Sequence, residues 1–168
     1  EFKNKYLGSA VYAVLNGIYF GNPEKYETRD PNDQVTVIGY FPKLTDKGLR
    51  KLLSSQLPDI REAGRRYFLE TPWQDRVRLL CAISDVVKER YWLLCAAKMY
   101  ETGQSIMEAI GETDEEVDFP RVNAMYLEEL HKEQLIASPS WAGDLNGKRY
   151  VPHGVFLNVS PFNFPGAI

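Results

Sequence analysis

Gly154-Val155-Phe156-Leu157-Asn158-Val159-Ser160-Pro161-Phe162-Asn163-Phe164-Pro165 is the stretch on which the reading of this chain turns. Val155 to Val159 is a short, mostly apolar run without an acidic or basic residue, the pattern of a strand covered on both faces of a parallel sheet. It predicts a buried strand in an α/β fold. Pro161 and Pro165, with Phe162, Asn163 and Phe164 between them, end that strand and present Asn163 in a stiffened turn. In open α/β sheets ligands collect beyond the carboxyl ends of the strands. A neutral amide held at such a place can donate hydrogen bonds to a carbonyl oxygen that gathers negative charge under attack.

Working outward from that turn, the preceding residues are Val151-Pro152-His153, and Glu115-Glu116-Val117-Asp118-Phe119-Pro120-Arg121-Val122-Asn123-Ala124-Met125-Tyr126 stands some way before them. The turn resembles the Pro-Trp/Phe-Asn-Phe motif of the aldehyde dehydrogenase superfamily. The Ser-Pro-Phe-Asn-Phe wording is closest to the branch that oxidises glutamate γ-semialdehyde, the pyrroline-carboxylate dehydrogenases. The upstream block resembles the helix before the motif in that branch, with its Glu-x-x-Asp-Phe and Arg-x-Asn-Ala-x-Tyr. Where the family has a second aromatic, this chain has Pro120.

The resemblance implies the first part of an aldehyde dehydrogenase fold, with a Rossmann-like cofactor domain. It implies hairpins over residues 11–41, helices over 45–132, an oligomerisation hairpin over 135–152, and the first core strand with its motif over 154–165. It makes Asn163 the side-chain donor of an oxyanion hole. Val159, Ser160, Pro161 and Phe162 would touch the nicotinamide ribose side of NAD, Phe164 would pack on the aliphatic part of the substrate, and Glu115 would line the aldehyde pocket. Without the motif, Phe162 and Phe164 read as core aromatics. Glu112, Asp114, Glu115, Glu116 and Asp118 together read as a solvated face or as helix-start charge. The implied substrate is a small aldehyde, the implied setting is the cytoplasm or the mitochondrial matrix, and the full-length enzyme would be a homo-oligomer. In the family the nucleophilic cysteine, the base glutamate, the Lys-Pro segment and the glycine-containing cofactor turn follow the motif. The chain begins without a methionine and stops just after Pro165, so it reads as a piece of a longer polypeptide that alone neither oxidises aldehyde nor binds NAD tightly. Another aldehyde dehydrogenase branch, or a non-catalytic helical interaction module, would share many of these features.

Composition sets the outer limits. The 168 residues can bury one core, and 44% hydrophobic with 26% charged residues is ordinary for a globular protein. A net charge of −3 argues against a nucleic-acid face, and no apolar run reaches membrane-spanning length. Cys81 and Cys95 fall inside apolar helical patterns and read as buried, reduced thiols. No His, Cys or carboxylate spacing suggests a metal.

Along the chain, Asn16-Gly17 between β-rich runs predicts a hairpin over 12–21. A second hairpin over 26–41 turns around Asp30-Pro31-Asn32-Asp33. Thr45 caps a helix to about Ser54, Pro58 opens another to about Phe68, and Thr71-Pro72 starts a third. Val77, Leu80, Cys81, Ile83, Val87, Tyr91, Leu94, Cys95 and Met99 recur near helical spacing, as one long helix or an amphipathic hairpin ended by Gly103. Glu112 to about Lys132 is helical, with Val122, Tyr126, Leu127 and Leu130 on one side. Pro120 kinks or restarts it, and Asp118 serves as its cap. Asn146-Gly147 marks a further hairpin.

Overall fold

The computed structural model describes residues 2–15, 17–21, 24–133, 146–147 and 150–166. A short helix α1 (Phe2–Lys5) leads into strand β1 (Ser9–Ala10), the hairpin β2 (Ala13–Leu15) and β3 (Ile18–Phe20), and the hairpin β4 (Lys25–Arg29) and β5 (Val37–Pro42). Four helices follow: α2 (Asp46–Glu70), α3 (Trp73–Glu89), α4 (Tyr91–Thr102) and α5 (Ile106–Glu133). Both expected hairpins form. Leu15 faces Ile18 in the first, and Gly17 takes the positive φ of 73° that its tight connection requires; Asn16 lies outside the described residues. In the second, Lys25 pairs with Pro42 and Arg29 with Val37. Its turn is built by aspartates: Asp30 Oδ1 accepts from the Asn32 backbone N–H, and Asp33 accepts from the N–H groups of Val35 and Thr36 and from the Thr36 hydroxyl. These bonds hold the Asp33 carboxyl below its ordinary range, the Thr36 hydroxyl contributing most. β1 adds in parallel to the far edge of β5, so the sheet runs β1-β5-β4.

The helices depart from the expected boundaries in instructive ways. Thr45 caps α2 as expected, its hydroxyl accepting from the Gly48 N–H at 3.2 Å. The helix then runs through Pro58 without a second start. Proline removes one backbone donor, and along a helix with no buried residue the freed carbonyl is open to solvent. The apolar series from Val77 to Met99 is divided at Arg90, whose ψ of 12° separates α3 from α4. Gly103 closes α4 in the left-handed region at φ 72°. It is needed twice over, because a Cβ there would also meet the ring of Pro31 at 3.0 Å. That close approach sets the Asp30–Asp33 turn against the α4–α5 junction.

Helix α5 begins at Ile106, well before Glu112. Ser105 and Glu108 form a capping box: Glu108 Oε2 accepts the Ser105 N–H at 2.8 Å, and Ser105 Oγ accepts the Glu108 N–H at 3.3 Å. Asp118 is therefore an interior residue rather than a cap, and α5 passes Pro120 unbroken. A neighbouring helix bonds to the same turn. Beside Pro120 the Val117 carbonyl accepts the hydroxyl of buried Ser84 from α3 at 2.7 Å, Ser84 Oγ accepts from Arg121 Nε at 2.7 Å, and Arg121 also reaches Asp85 at 2.5 Å. Interhelical bonds thus hold the turn next to Pro120 in place, without replacing the donor that the proline takes from the Glu116 carbonyl.

The buried centre lies between α3, α4 and α5 and holds Cys95, Ala109 and Ala124 together with the polar residues Ser84, Lys98, Glu112 and Thr113. Val122, Tyr126 and Leu130, expected along one packed side of α5, are exposed. The face of α5 that packs carries small and polar residues, which let α3 and α4 approach closely. Residues 154–165 form no strand, and Val155, Phe156, Leu157 and Val159 are exposed. A strand needs a partner to take up its backbone groups, and no described strand lies against this run. Most of the hairpin expected over 135–152 lies outside the described residues.

Candidate functional site

Although residues 154–161 stand free of any sheet, the turn after them is anchored. An open cleft of about 770 Å³ lies where the β4–β5 turn, the α4–α5 junction and the motif meet. Thr28 and Pro31 form one side of it, Glu101, Gln104, Glu108 and Glu112 another, and Phe162, Asn163 and Phe164 close it from the C-terminal side. Glu115 lines the same cleft. Four of the residues singled out in the sequence, Glu115, Phe162, Asn163 and Phe164, are thus brought together. Val159, Ser160 and Pro161 are not; they lie outside the cleft and are exposed.

Side-chain amide and carboxyl groups hold the turn in place. Gln104 Nε2 donates to Glu112 Oε2 at 2.8 Å and to the Asn163 carbonyl oxygen at 3.1 Å. The Gly166 N–H donates to Glu112 Oε1 at 2.8 Å. A Cβ at Gly166 would overlap the Glu116 carboxylate, so a larger residue there would have to push that carboxylate off Lys98. Glu108, at the rim, is held below the ordinary carboxyl range by the Ser105 backbone N–H and hydroxyl.

Beneath the turn lies a second polar group. Lys98 Nζ donates to Glu116 Oε1 at 2.8 Å and to Thr113 Oγ1 at 2.7 Å, with the lysine and glutamate side chains only 4% and 8% exposed. The Thr113 hydroxyl proton goes to the Ala109 carbonyl at 2.7 Å, and Cys95 Sγ lies 3.2 Å from Thr113 Oγ1. Tyr91 closes the α4 end, donating to Asp114 Oδ1 at 2.7 Å, and that bond raises its phenol to about 12. The acidic run on α5 is therefore not one solvated face. Glu112 and Glu116 stand one helical turn apart on the packed side, while Asp114, Glu115 and Asp118 are exposed. A lysine in the middle of the apolar stripe of α4 was the legible sign that α5 must answer with carboxylates.

This arrangement limits the chemistry. Cys95 is sealed, Cys81 is half-buried, and neither lines the cleft, so neither is placed to attack a ligand there. Among the described residues no cluster of His, Cys, Asp and Glu could hold a metal ion, and no helix is long and apolar enough to cross a membrane. Val159 is 85% exposed and Phe162 93%, so the residues expected to touch NAD lie open along one side. What the cleft does offer is Asn163 in an anchored turn, beside the apolar surface of Phe164 and an acidic rim.

Known proteins resemble this chain in both sequence and geometry. The chain is 26% identical to 1-pyrroline-5-carboxylate dehydrogenase of Staphylococcus epidermidis over 164 residues, which is 96% of this chain and 30% of that protein. The same enzyme of Staphylococcus aureus is 26% identical over 166 residues, 98% of this chain and 30% of that protein. Among solved structures, 1-pyrroline-5-carboxylate dehydrogenase from Thermus with bound NAD superposes with a TM-score of 0.81 at 22% identity, covering 98% of this chain and 31% of that one. The chain thus spans about 30% of the length of the curated relatives it matches. The profile of the aldehyde dehydrogenase family matches residues 20–168, and the chain belongs to that family.

Proposed function

We propose that this chain supplies the oxyanion-binding turn and part of the cofactor domain of a dehydrogenase that oxidises L-glutamate γ-semialdehyde, the open form of 1-pyrroline-5-carboxylate, to glutamate with NAD. The observation that carries the reading is the cleft in which Asn163 and Phe164 meet Glu115 across a long stretch of intervening sequence. The similarity to 1-pyrroline-5-carboxylate dehydrogenases supports the choice of substrate. In this reading the Asn163 amide donates to the carbonyl oxygen as it becomes an alkoxide, where a preorganised donor acts most strongly. Phe164 packs on the methylene chain of the substrate, and Glu115 borders the aldehyde pocket. The attacking thiolate comes from outside the described residues, because Cys95 is sealed and Cys81 stands off the cleft. NAD, when bound to the assembled enzyme, accepts the hydride; Val159, Ser160, Pro161 and Phe162 would contribute one side of its site. The reading carries with it a cytoplasmic homo-oligomer.

Co-expression of this chain with the remainder of the enzyme provides the test. The complemented protein should reduce NAD in the presence of the semialdehyde, and the chain alone should not. Asn163→Ala should lower turnover by roughly two to three orders of magnitude, equivalent to about 2.7–4 kcal/mol in the barrier. Turnover by the isolated chain, or an Asn163→Ala enzyme as fast as the parent, would overturn the assignment.

A further inference from the structure

Glu112 stands in the acidic run of α5, yet it is 3% exposed and holds both flanks of the Pro165 turn. One oxygen accepts the Gly166 N–H directly; the other accepts Gln104 Nε2, which also donates to the carbonyl of Asn163. The polarity of this chain of bonds matters more than its number. A carboxylate only accepts, so it forces Gln104 to turn its NH₂ toward Glu112 and hence toward the Asn163 carbonyl. A neutral amide at position 112 could not do both jobs. With its oxygen toward Gly166 it would set its own NH₂ against that of Gln104. If Gln104 then reversed to present its oxygen, that oxygen would face the Asn163 carbonyl and repel it.

We propose that Glu112, acting through Gln104, is the positioning residue for the oxyanion-binding asparagine. Although Glu112 borders the cleft, it is nearly buried and its two oxygens accept from the Gly166 N–H and from Gln104. It fixes the backbone on both sides of Pro165, and with it the direction in which the Asn163 side chain can point. This inference rests on the function proposed above for Asn163, and a small error in the aim of such a donor is enough to slow the chemical step.

Kinetics of the complemented enzyme test it. Glu112→Gln and Gln104→Leu should each lower kcat by about tenfold to a hundredfold, leave the Michaelis constant for NAD where it was, and have no further effect once Asn163→Ala has removed the donor they aim. Equal losses with and without the Asn163→Ala substitution would reveal general damage to the fold and overturn the proposal, as would an undiminished kcat. A second measurement separates this inference from the functional reading. In the 168-residue chain itself, Glu112→Ala should speed hydrogen exchange at the Gly166 amide. If exchange there is unchanged, the anchoring role fails whatever the enzyme does. If exchange rises but the complemented parent oxidises no semialdehyde, the anchor stands and the assigned reaction falls.

Discussion

Helices α2 and α5 are the two longest among the described residues, at 25 and 28 residues, and each contains a proline in its interior. They keep their regularity by opposite means. Helix α2 buries none of its side chains and leaves Leu49, Leu53, Tyr67 and Leu69 exposed. Just before Pro58 the side-chain bonds are local: Ser54 and Ser55 turn their hydroxyls back onto the carbonyls of Lys51 and Leu52. Helix α5 packs on α3 and α4 and buries Ala109, Glu112, Thr113 and Ala124. At Pro120 it is secured from another element, α3, whose Ser84 and Asp85 bond to the Val117 carbonyl and to Arg121. One helix persists through its own backbone bonds, the other through its neighbours, so substitutions in α5 should be felt across the fold and those in α2 should stay local.

The sharpest way to break this contrast is Lys98→Met. It leaves Glu116 buried without its cation and should destabilise the chain by about 3–5 kcal/mol, read as a lower urea midpoint. Adding Glu116→Leu should return much of that loss, because the unpaired charge goes with it. A midpoint unmoved by Lys98→Met would mean that α4 and α5 are not held together here.

The two prolines offer a direct comparison of intermediate size. Pro58→Ala should stabilise α2 by up to about 3 kcal/mol, since proline in a solvated helix interior is unfavourable by that amount relative to alanine. Pro120→Ala should stabilise α5 by much less, because the bonds from Ser84 and Asp85 already hold that turn. Helix content followed by circular dichroism during heating reads both; equal gains at the two sites would remove the distinction.

The smallest expected effect concerns pH. His131, on α5, packs against Trp73 of α3 in a tilted pair with ring centroids 5.3 Å apart, and its buried Nδ1 has no partner among the described residues. Burial first, and then the charge of Arg76, depress its pKa below the ordinary 6.5. The folded state therefore prefers the neutral ring. Its contribution is complete above pH 6.5 and is lost as the pH falls through the lowered folded value, because the unfolded chain takes up the proton first. His131→Phe should flatten the loss of thermal stability on going from neutral to mildly acidic pH, whereas exposed positions on α2 should show no such dependence.

Local conformational rules were legible in the residues themselves. Gly17 marks a turn, Thr45 a helix start and Gly103 a helix end because each depends on one residue's φ, ψ or hydroxyl and its immediate neighbours. The Ser105-Ile106-Met107-Glu108 box was equally readable, and the true start of α5 lay in it. The site was half legible: Glu115, Phe162, Asn163 and Phe164 belong to recognisable motifs and do converge, whereas Gln104 and Glu112 carry no motif that distinguishes an anchor from a solvated acid.

The amino-acid order alone therefore settles where the chain turns, which segments are helical, and which family it belongs to, since these follow from short-range preferences and motif wording. Whether Val155 to Val159 is covered, whether Pro120 breaks α5, and which carboxylates on that helix are buried depend on groups brought in from distant positions: a strand partner, the Ser84 hydroxyl, the Lys98 ammonium. Hydrogen bonds and ion pairs form between surfaces rather than between neighbours in sequence, and no local pattern can say which surfaces will meet.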